Sequence, residues 1–293
     1  MMPPTERVAT SSVGLGMLAM TALYAPVLQA QNVAPVNRVI ERLQEDAPAI
    51  GTFSRRPADG LDFTVIDAQY GEFDVAAIRQ VLAAMRADDE PPGVAPIVRI
   101  PREARDAPRA IVTQLLDLGV FGVMFPDIET PAQAMTAVRA MRLTPAAGAE
   151  NAAPAGQRET SPGFGSAPGY WGLSADEYRA VADVWPLEPA GKLIAMLQIE
   201  SMTGIERLDE ILDVPGIGVI FLGPTDLAAS VGADGPDAPQ VEALVQRVLA
   251  ACRARDVACG YPIVARTRDD ADRETARRVR EGFTVLAVMT TAR

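Results

Sequence analysis

The amino-acid sequence predicts an α/β chain folded as a TIM (β/α)8 barrel, and three observations carry that prediction. Apolar runs without alternation, Leu193 to Ile199 and Ile217 to Leu222, read as parallel strands covered on both faces. The stretch between them spaces Ile205, Leu208, Ile211 and Leu212 along one face of a helix, and Val214-Pro215-Gly216 stops it. The length, 293 residues, suits one barrel of about 250 residues around a single core.

The other elements follow in order. A helix from Val36 to Gln44 precedes the first strand, Ala49 to Phe53, and the second runs from Asp62 to Ile66 and ends in Asp67. About eight residues, Ser54 to Leu61, join those strands, too few for a crossover containing a full helix. Phe73 to Met85 aligns Val75, Ile78, Val81, Leu82 and Met85 on one helical face, and Ala95 to Pro101 is a third strand with Arg99 near its end. A helix from Ala110 to Leu118 closes on Gly119, and a strand from Gly122 to Pro126 ends at Asp127, which reaches water or caps the next helix. Thr130-Pro131 opens that helix, Ala132 to Met141. From 142 to 191 the composition turns to Pro, Gly, Ala and Ser around Tyr170-Trp171 and a short helix, Ala175 to Val184, which reads as a lid insertion. A helix from Val241 to Arg253, a strand starting at Ala258, a charged outer helix from Asp270 to Glu281 and an eighth strand, Phe283 to Met289, complete the ring.

Composition narrows the function. The formal net charge is −11 and Lys192 is the only lysine, with no basic stripe carrying interleaved aromatics, so nucleic acid is not an expected partner. The chain has no histidine, which excludes imidazole metal ligands and imidazole bases. At the start, Arg7 precedes an apolar stretch from Val13 to Leu28, and Leu28-Gln29-Ala30 resembles an export cleavage site. Residues 1–30 read as a signal peptide, leaving 31–293 as the barrel of an exported, periplasmic protein. A membrane anchor or an apolar tail on a cytoplasmic protein are the alternatives. Thr21, Pro26 and Gln29 interrupt the run, so no stable membrane span is expected. Cys252 and Cys259 define no disulfide framework and read as buried thiols.

Two carboxylates, Glu200 and Asp226, stand just past the ends of neighbouring strands, on the barrel rim where catalytic groups collect. Oxygen ligands there, with positions left for water and substrate, suit Mg²⁺ or Mn²⁺ better than Zn²⁺. The spacing equally allows each carboxylate to cap a helix.

The passage QIES…GI…IL.VPGI..IFLGPTDLA..VG resembles the metal-binding core of the HpcH/HpaI aldolase and citrate-lyase family. The resemblance covers about Ile50 to Thr290. It implies a divalent-metal-dependent carbon–carbon lyase acting on a small 2-oxo acid or hydroxy acid through a metal-stabilised enolate. Glu200 and Asp226 would be the metal ligands, Gln198 would lie behind them, and Arg99, in Val98-Arg99-Ile100-Pro101, would stabilise the enolate together with the Gly223-Pro224 backbone. The family's loop D-x-E-H-G corresponds to Asp67-Ala68-Gln69-Tyr70-Gly71, where Tyr70 replaces the catalytic histidine that Asp67 would orient. A phenol is a poor base at neutral pH, which leaves Tyr70 to donate a hydrogen bond, to act as an acid or to pack. The resemblance also implies that 142–191 folds over the mouth, with Tyr170 and Trp171 either at its entrance or anchoring it. Relative to the family, the first strand–helix link is short and the last helix truncated, so homo-oligomer assembly stays open. These departures support a second reading, an exported carboxylate-binding protein without turnover or with altered chemistry.

Overall fold

The structure, a computed structural model, describes residues 1, 37–56, 60–86, 91–144, 153–158 and 163–291. The segment read as a signal peptide lies outside them, Met1 excepted. Among the described residues no helix is long and apolar enough to cross a membrane.

In chain order the elements are α1 (Arg38–Gln44), β1 (Ala49–Phe53), β2 (Phe63–Asp67), α2 (Val75–Ala84), β3 (Ala95–Arg99), a 3₁₀ turn (Arg102–Ala104), α3 (Arg109–Leu118), β4 (Gly122–Phe125) and α4 (Pro131–Met141). Then come α5 (Ala167–Tyr170), α6 (Ala175–Val181), β5 (Val184–Trp185), β6 (Leu193–Ile199), α7 (Met202–Glu206), α8 (Leu208–Leu212) and β7 (Val219–Leu222). The last are α9 (Pro224–Ser230), α10 (Pro239–Ala254), β8 (Ala258–Ala265), α11 (Arg268–Glu281) and β9 (Val285–Thr290). Every pairing is parallel, β1 pairs with β9, and β4 pairs with β6, so the eight strands other than the two-residue β5 close into a barrel.

The strands form where the sequence supplies apolar residues for both faces: all seven residues of β6 are buried, as are all of β3, β4 and β7. The link between β1 and β2 contains no helix among its described residues. Register does the rest, because laterally paired residues of parallel strands point to the same side. Asp67 sits opposite Arg99, and Gln198 opposite Phe221, so these four share the inner face at the carboxyl ends of the strands.

The helix between β6 and β7 is broken in two at Arg207, where the sequence reads as one segment. Gly204 lets the first piece press onto the Ile128 carbonyl, where a Cβ would stand only 2.7 Å away, and the second piece turns Leu208, Ile211 and Leu212 inward. The charged helix α11 is not wholly outward-facing either. Its Arg278 is 3% exposed, paired with Glu242, Glu274 and Glu281 and lying 4.0 Å from the centre of the Tyr261 ring. Cys252 and Cys259 are free and buried, and burial pushes the Cys259 thiol up.

The segment 142–191, expected as a lid, packs at the opposite end of the barrel in its described residues. Trp171 is fully buried, stacks on Phe121 with centroids 4.4 Å apart, and donates from Nε1 to the Gly119 carbonyl at 2.8 Å. Tyr170 donates to the Leu82 carbonyl, and Arg142 makes a two-point pair with Asp183 at 2.8 Å. All of these partners lie at the amino ends of β4 and β6 or the carboxyl ends of outer helices. Asn37 closes the same end by donating to the carbonyls of Phe121 and Lys192. The aromatic pair therefore anchors the segment and does not line an entrance: rings this large gain more from a dry core than from a wet rim.

Candidate active site

At the carboxyl end of the barrel a cavity of about 1400 Å³ opens, lined at its base by Phe53, Asp67, Arg99, Gln198, Phe221 and Asp226. Arg99 is its fixed centre. The guanidinium donates from Nε to Asp67 Oδ1 at 2.9 Å and from Nη2 to Asp67 Oδ2 at 2.6 Å, a planar two-point pair, and from Nη1 to Gln198 Oε1 at 3.4 Å. The Phe53 ring, 4.9 Å from Arg99 Cζ, closes its other side. Asp67 also accepts from the Gln69 amide at 3.0 Å. It therefore orients Arg99, not Tyr70.

Tyr70 lies over the same guanidinium, 5.3 Å from ring centre to Cζ, and is largely exposed. Desolvation of the phenol and the negative charge of Asp226 push its pKa above the ordinary tyrosine value, with Arg99 opposing. At neutral pH it keeps its proton, so it can donate a hydrogen bond or act as an acid but does not serve as the base.

Glu200 follows β6 directly and its carboxylate is buried. Its Oε1 accepts from the Asp127 amide at 2.9 Å, and its Oε2 has no hydrogen-bond partner. Burial, then the charge of Asp226, pushes its pKa up to about 7. Glu200 caps no helix, because Ser201 caps α7 through Oγ. Asp226 lies in the first turn of α9 behind the N-cap Gly223, a position that the helix dipole favours for a carboxylate. The two carboxylates converge. Arg102 Nη2 lies 4.0 Å from Glu200 Oε1 and 3.7 Å from Asp226 Oδ1, so one cationic nitrogen already serves both.

The Gly223-Pro224 backbone, expected to steady an enolate, has no amide to offer. The Gly223 N–H donates to the Ile199 carbonyl, and proline has none. Gly223 instead makes room, since a Cβ there would fall onto Glu200 Oε2 and within 2.9 Å of Gln198 Nε2. Asp127 does not cap α4; Thr130 does, in a capping box with Gln133. Asp127 adopts φ 52°, which turns its amide onto Glu200, while Arg105 binds both its carboxylate and its carbonyl. Sequence reasoning missed Arg102 and this amide. The spacing Arg99-Ile100-Pro101-Arg102 was the available signal for the first, and a backbone group leaves none for the second.

The residues fit a divalent cation. A buried carboxylate oxygen without a partner, a second carboxylate within reach of the same cationic nitrogen, and oxygen-only donors match a hard ion that keeps water or substrate ligands. Among the described residues no three His, Cys, Asp or Glu side chains form a ready-made metal cluster, so two carboxylates would be the protein's share.

Comparison with known proteins decides the ancestry. The profile for HpcH/HpaI aldolase/citrate lyase matches residues 53–288. The chain belongs to the HpcH/HpaI aldolase/citrate lyase family. It is 31% identical over 191 residues to a hydroxypyruvate/pyruvate aldolase of Roseobacter denitrificans, a match covering 65% of this chain and 64% of that relative, just under two thirds of its length. It is 28% identical over 215 residues to a 5-keto-4-deoxy-D-glucarate aldolase of Citrobacter koseri, covering 73% and 72% of the two chains. Among solved structures, an HpcH/HpaI family protein of Burkholderia cenocepacia superposes with a TM-score of 0.68 at 29% identity, covering 87% of this chain and 93% of the other. Both curated relatives are aldolases.

Proposed function

We propose that the protein is a divalent-metal-dependent aldolase that makes or breaks the bond beside a small 2-oxo acid. The observation that carries the proposal is the convergence of Glu200 and Asp226 on one cationic nitrogen next to Arg99. Glu200 and Asp226 would hold Mg²⁺ or Mn²⁺, and the chemistry such an ion supplies is neutralisation of charge at the oxygens of the 2-oxo acid.

In the cleavage direction, the bond between carbons 3 and 4 of a 4-hydroxy-2-oxo acid breaks. The hydroxyl proton passes to solvent water in the open cavity, an aldehyde departs, and the electron pair of the broken bond becomes the enolate of the 2-oxo acid, which takes a proton from water at carbon 3. Arg99 contributes positive charge, and its pairing with Asp67 spares the bound enolate any reorganisation of that side chain. Gln198, whose Oε1 is turned toward Arg99, has Nε2 available as a second donor. Tyr70 keeps its proton and acts as a donor toward the departing oxygen.

The test is a panel of 4-hydroxy-2-oxo acids assayed for pyruvate release with Mg²⁺ and Mn²⁺. Release that EDTA removes and Glu200→Gln abolishes supports the proposal; metal-independent release contradicts it. The raised pKa of Tyr70, with Asp67 committed to Arg99, favours a second reading, a carboxylate-binding protein without turnover. That reading expects the same ligands to bind intact, with no pyruvate released.

A further inference from the structure

Arg99 and Arg102 stand three residues apart and behave as opposites. Arg99 is buried and hydrogen-bonded at both faces of its fork. Arg102 has a side chain 42% exposed and touches three carboxylates, each at a distance longer than a hydrogen bond: Asp127 Oδ2 at 3.6 Å, Asp226 Oδ1 at 3.7 Å and Glu200 Oε1 at 4.0 Å. It is a loosely held cation in the middle of an acidic cluster. Glu200, against which it lies, is 2% exposed, and of the three carboxylates only Asp226 lines the cavity, so Arg102 stands at the cavity's edge and not in its wall. Glu200 Oε2 faces no donor.

We propose that Arg102 is the specificity residue of the mouth: it bridges Glu200 and Asp226 in the ion-free protein, yields them to the divalent cation, and then receives a second carboxylate carried by the substrate. The inference rests on the metal-dependent reading above. Two positive charges cannot share the same two carboxylates at this range without cost, so an ion entering there drives the guanidinium outward. Once displaced, Arg102 finds its remaining neighbour, Asp127, already bound by Arg105 through both carboxylate and carbonyl. Arg99 is likewise committed to Asp67. Arg102 is then the uncommitted guanidinium of this cluster, on a partly exposed 3₁₀ turn at the rim, and its natural partner is an anionic group on the far end of the substrate. A dicarboxylate is thereby preferred over a monocarboxylate of the same 2-oxo chemistry.

The experiment uses the full-length chain as wild type, Arg102→Gln and Glu200→Gln, with circular dichroism to confirm that each is folded. Each is titrated calorimetrically with Mn²⁺ and then, at saturating Mn²⁺, with pyruvate and with 2-oxoglutarate, which share the 2-oxo carboxylate and differ in the distal one. Removing the competing cation is expected to tighten Mn²⁺ binding by roughly five- to tenfold in Arg102→Gln. In the same variant 2-oxoglutarate is expected to weaken by roughly tenfold while pyruvate is unchanged. Mn²⁺ affinity equal to or below wild type, or equal losses for the two ligands, overturns the proposal. Failure of wild type itself to take up Mn²⁺, with Glu200→Gln indistinguishable from it, is a different result: it overturns the metal-dependent reading and this inference with it.

Discussion

The two ends of the barrel use the same kinds of residue for opposite purposes. At the amino end Arg142 closes on Asp183 at 2.8 Å and Trp171 stacks on Phe121 with its N–H donated to Gly119. Asn37 there stitches two strands through their carbonyls. At the carboxyl end Arg99 and Asp67 are paired just as firmly, yet beside them Glu200 keeps a buried oxygen unpaired and Arg102 hovers between carboxylates. The difference separates stability from function. The amino end leaves Arg158 Nε and Nη1 and Thr284 Oγ1 without partners but holds no unpaired buried carboxylate among its described residues; the carboxyl end leaves a buried carboxylate oxygen unpaired beside a loosely held cation, where a ligand can supply the missing partner.

The largest expected effect is at the amino end. Trp171→Ala removes a fully buried ring and is expected to cost about 3–5 kcal/mol of unfolding free energy, measured by denaturant titration, while Mn²⁺ affinity of the folded fraction stays unchanged. A matching loss of ion binding would dissolve the contrast between the ends.

At the carboxyl end the sign reverses. Glu200 is raised to about 7 in the folded chain, so between its ordinary value of 4.5 and 7 the native state holds the proton more tightly than the unfolded state does. Stability of the ion-free protein therefore falls as pH rises through that window. Glu200→Gln removes this penalty. It is expected to stabilise the ion-free protein by about 2–3 kcal/mol at pH 8 and by nearly nothing at pH 4, followed by thermal unfolding at both pH values. A variant less stable than wild type at pH 8 would mean that Glu200 is paired, not strained.

Gly223→Ala places a methyl on Glu200 Oε2 and is expected to cost about 1–3 kcal/mol, with Mn²⁺ binding lost as well, because Glu200 must move. The smallest effect sharpens the comparison from the other side. Thr130→Ala, which removes the α4 cap near the same rim, is expected to cost about 1 kcal/mol without altering Mn²⁺ affinity, since a cap contributes to stability wherever it sits.

How far the sequence carries depends on the kind of interaction. The run Leu193 to Ile199 matches β6 residue for residue, because burial on both faces demands continuous apolar side chains. Ala49 to Phe53 also matches β1, of which only Ala49 and Gly51 are buried. Glu200 and Asp226 were legible as site candidates because a polar residue just past a continuous apolar run emerges at the rim, whereas Asp67 and Arg99 were marked by the resemblance to the family's loop and strand motifs. Partner choice was not legible. Asp67 pairs with Arg99 through strand register, Arg102 reaches carboxylates 98 and 124 residues on in the chain, and Asp127 acts through its amide. The segment 142–191 misled because Pro- and Gly-rich composition marks a long connection without saying which end of the barrel it covers. Trp171 and Tyr178, both fully buried, were the clue that it seeks the dry end.

The central claim is that Glu200 and Asp226 jointly bind one divalent ion. Mn²⁺ titration of the full-length chain followed by electron paramagnetic resonance tests it directly, with Glu200→Gln and Asp226→Asn beside wild type. The account predicts one bound ion per wild-type chain and none in either variant at the same concentration. Undiminished binding in either variant would contradict it.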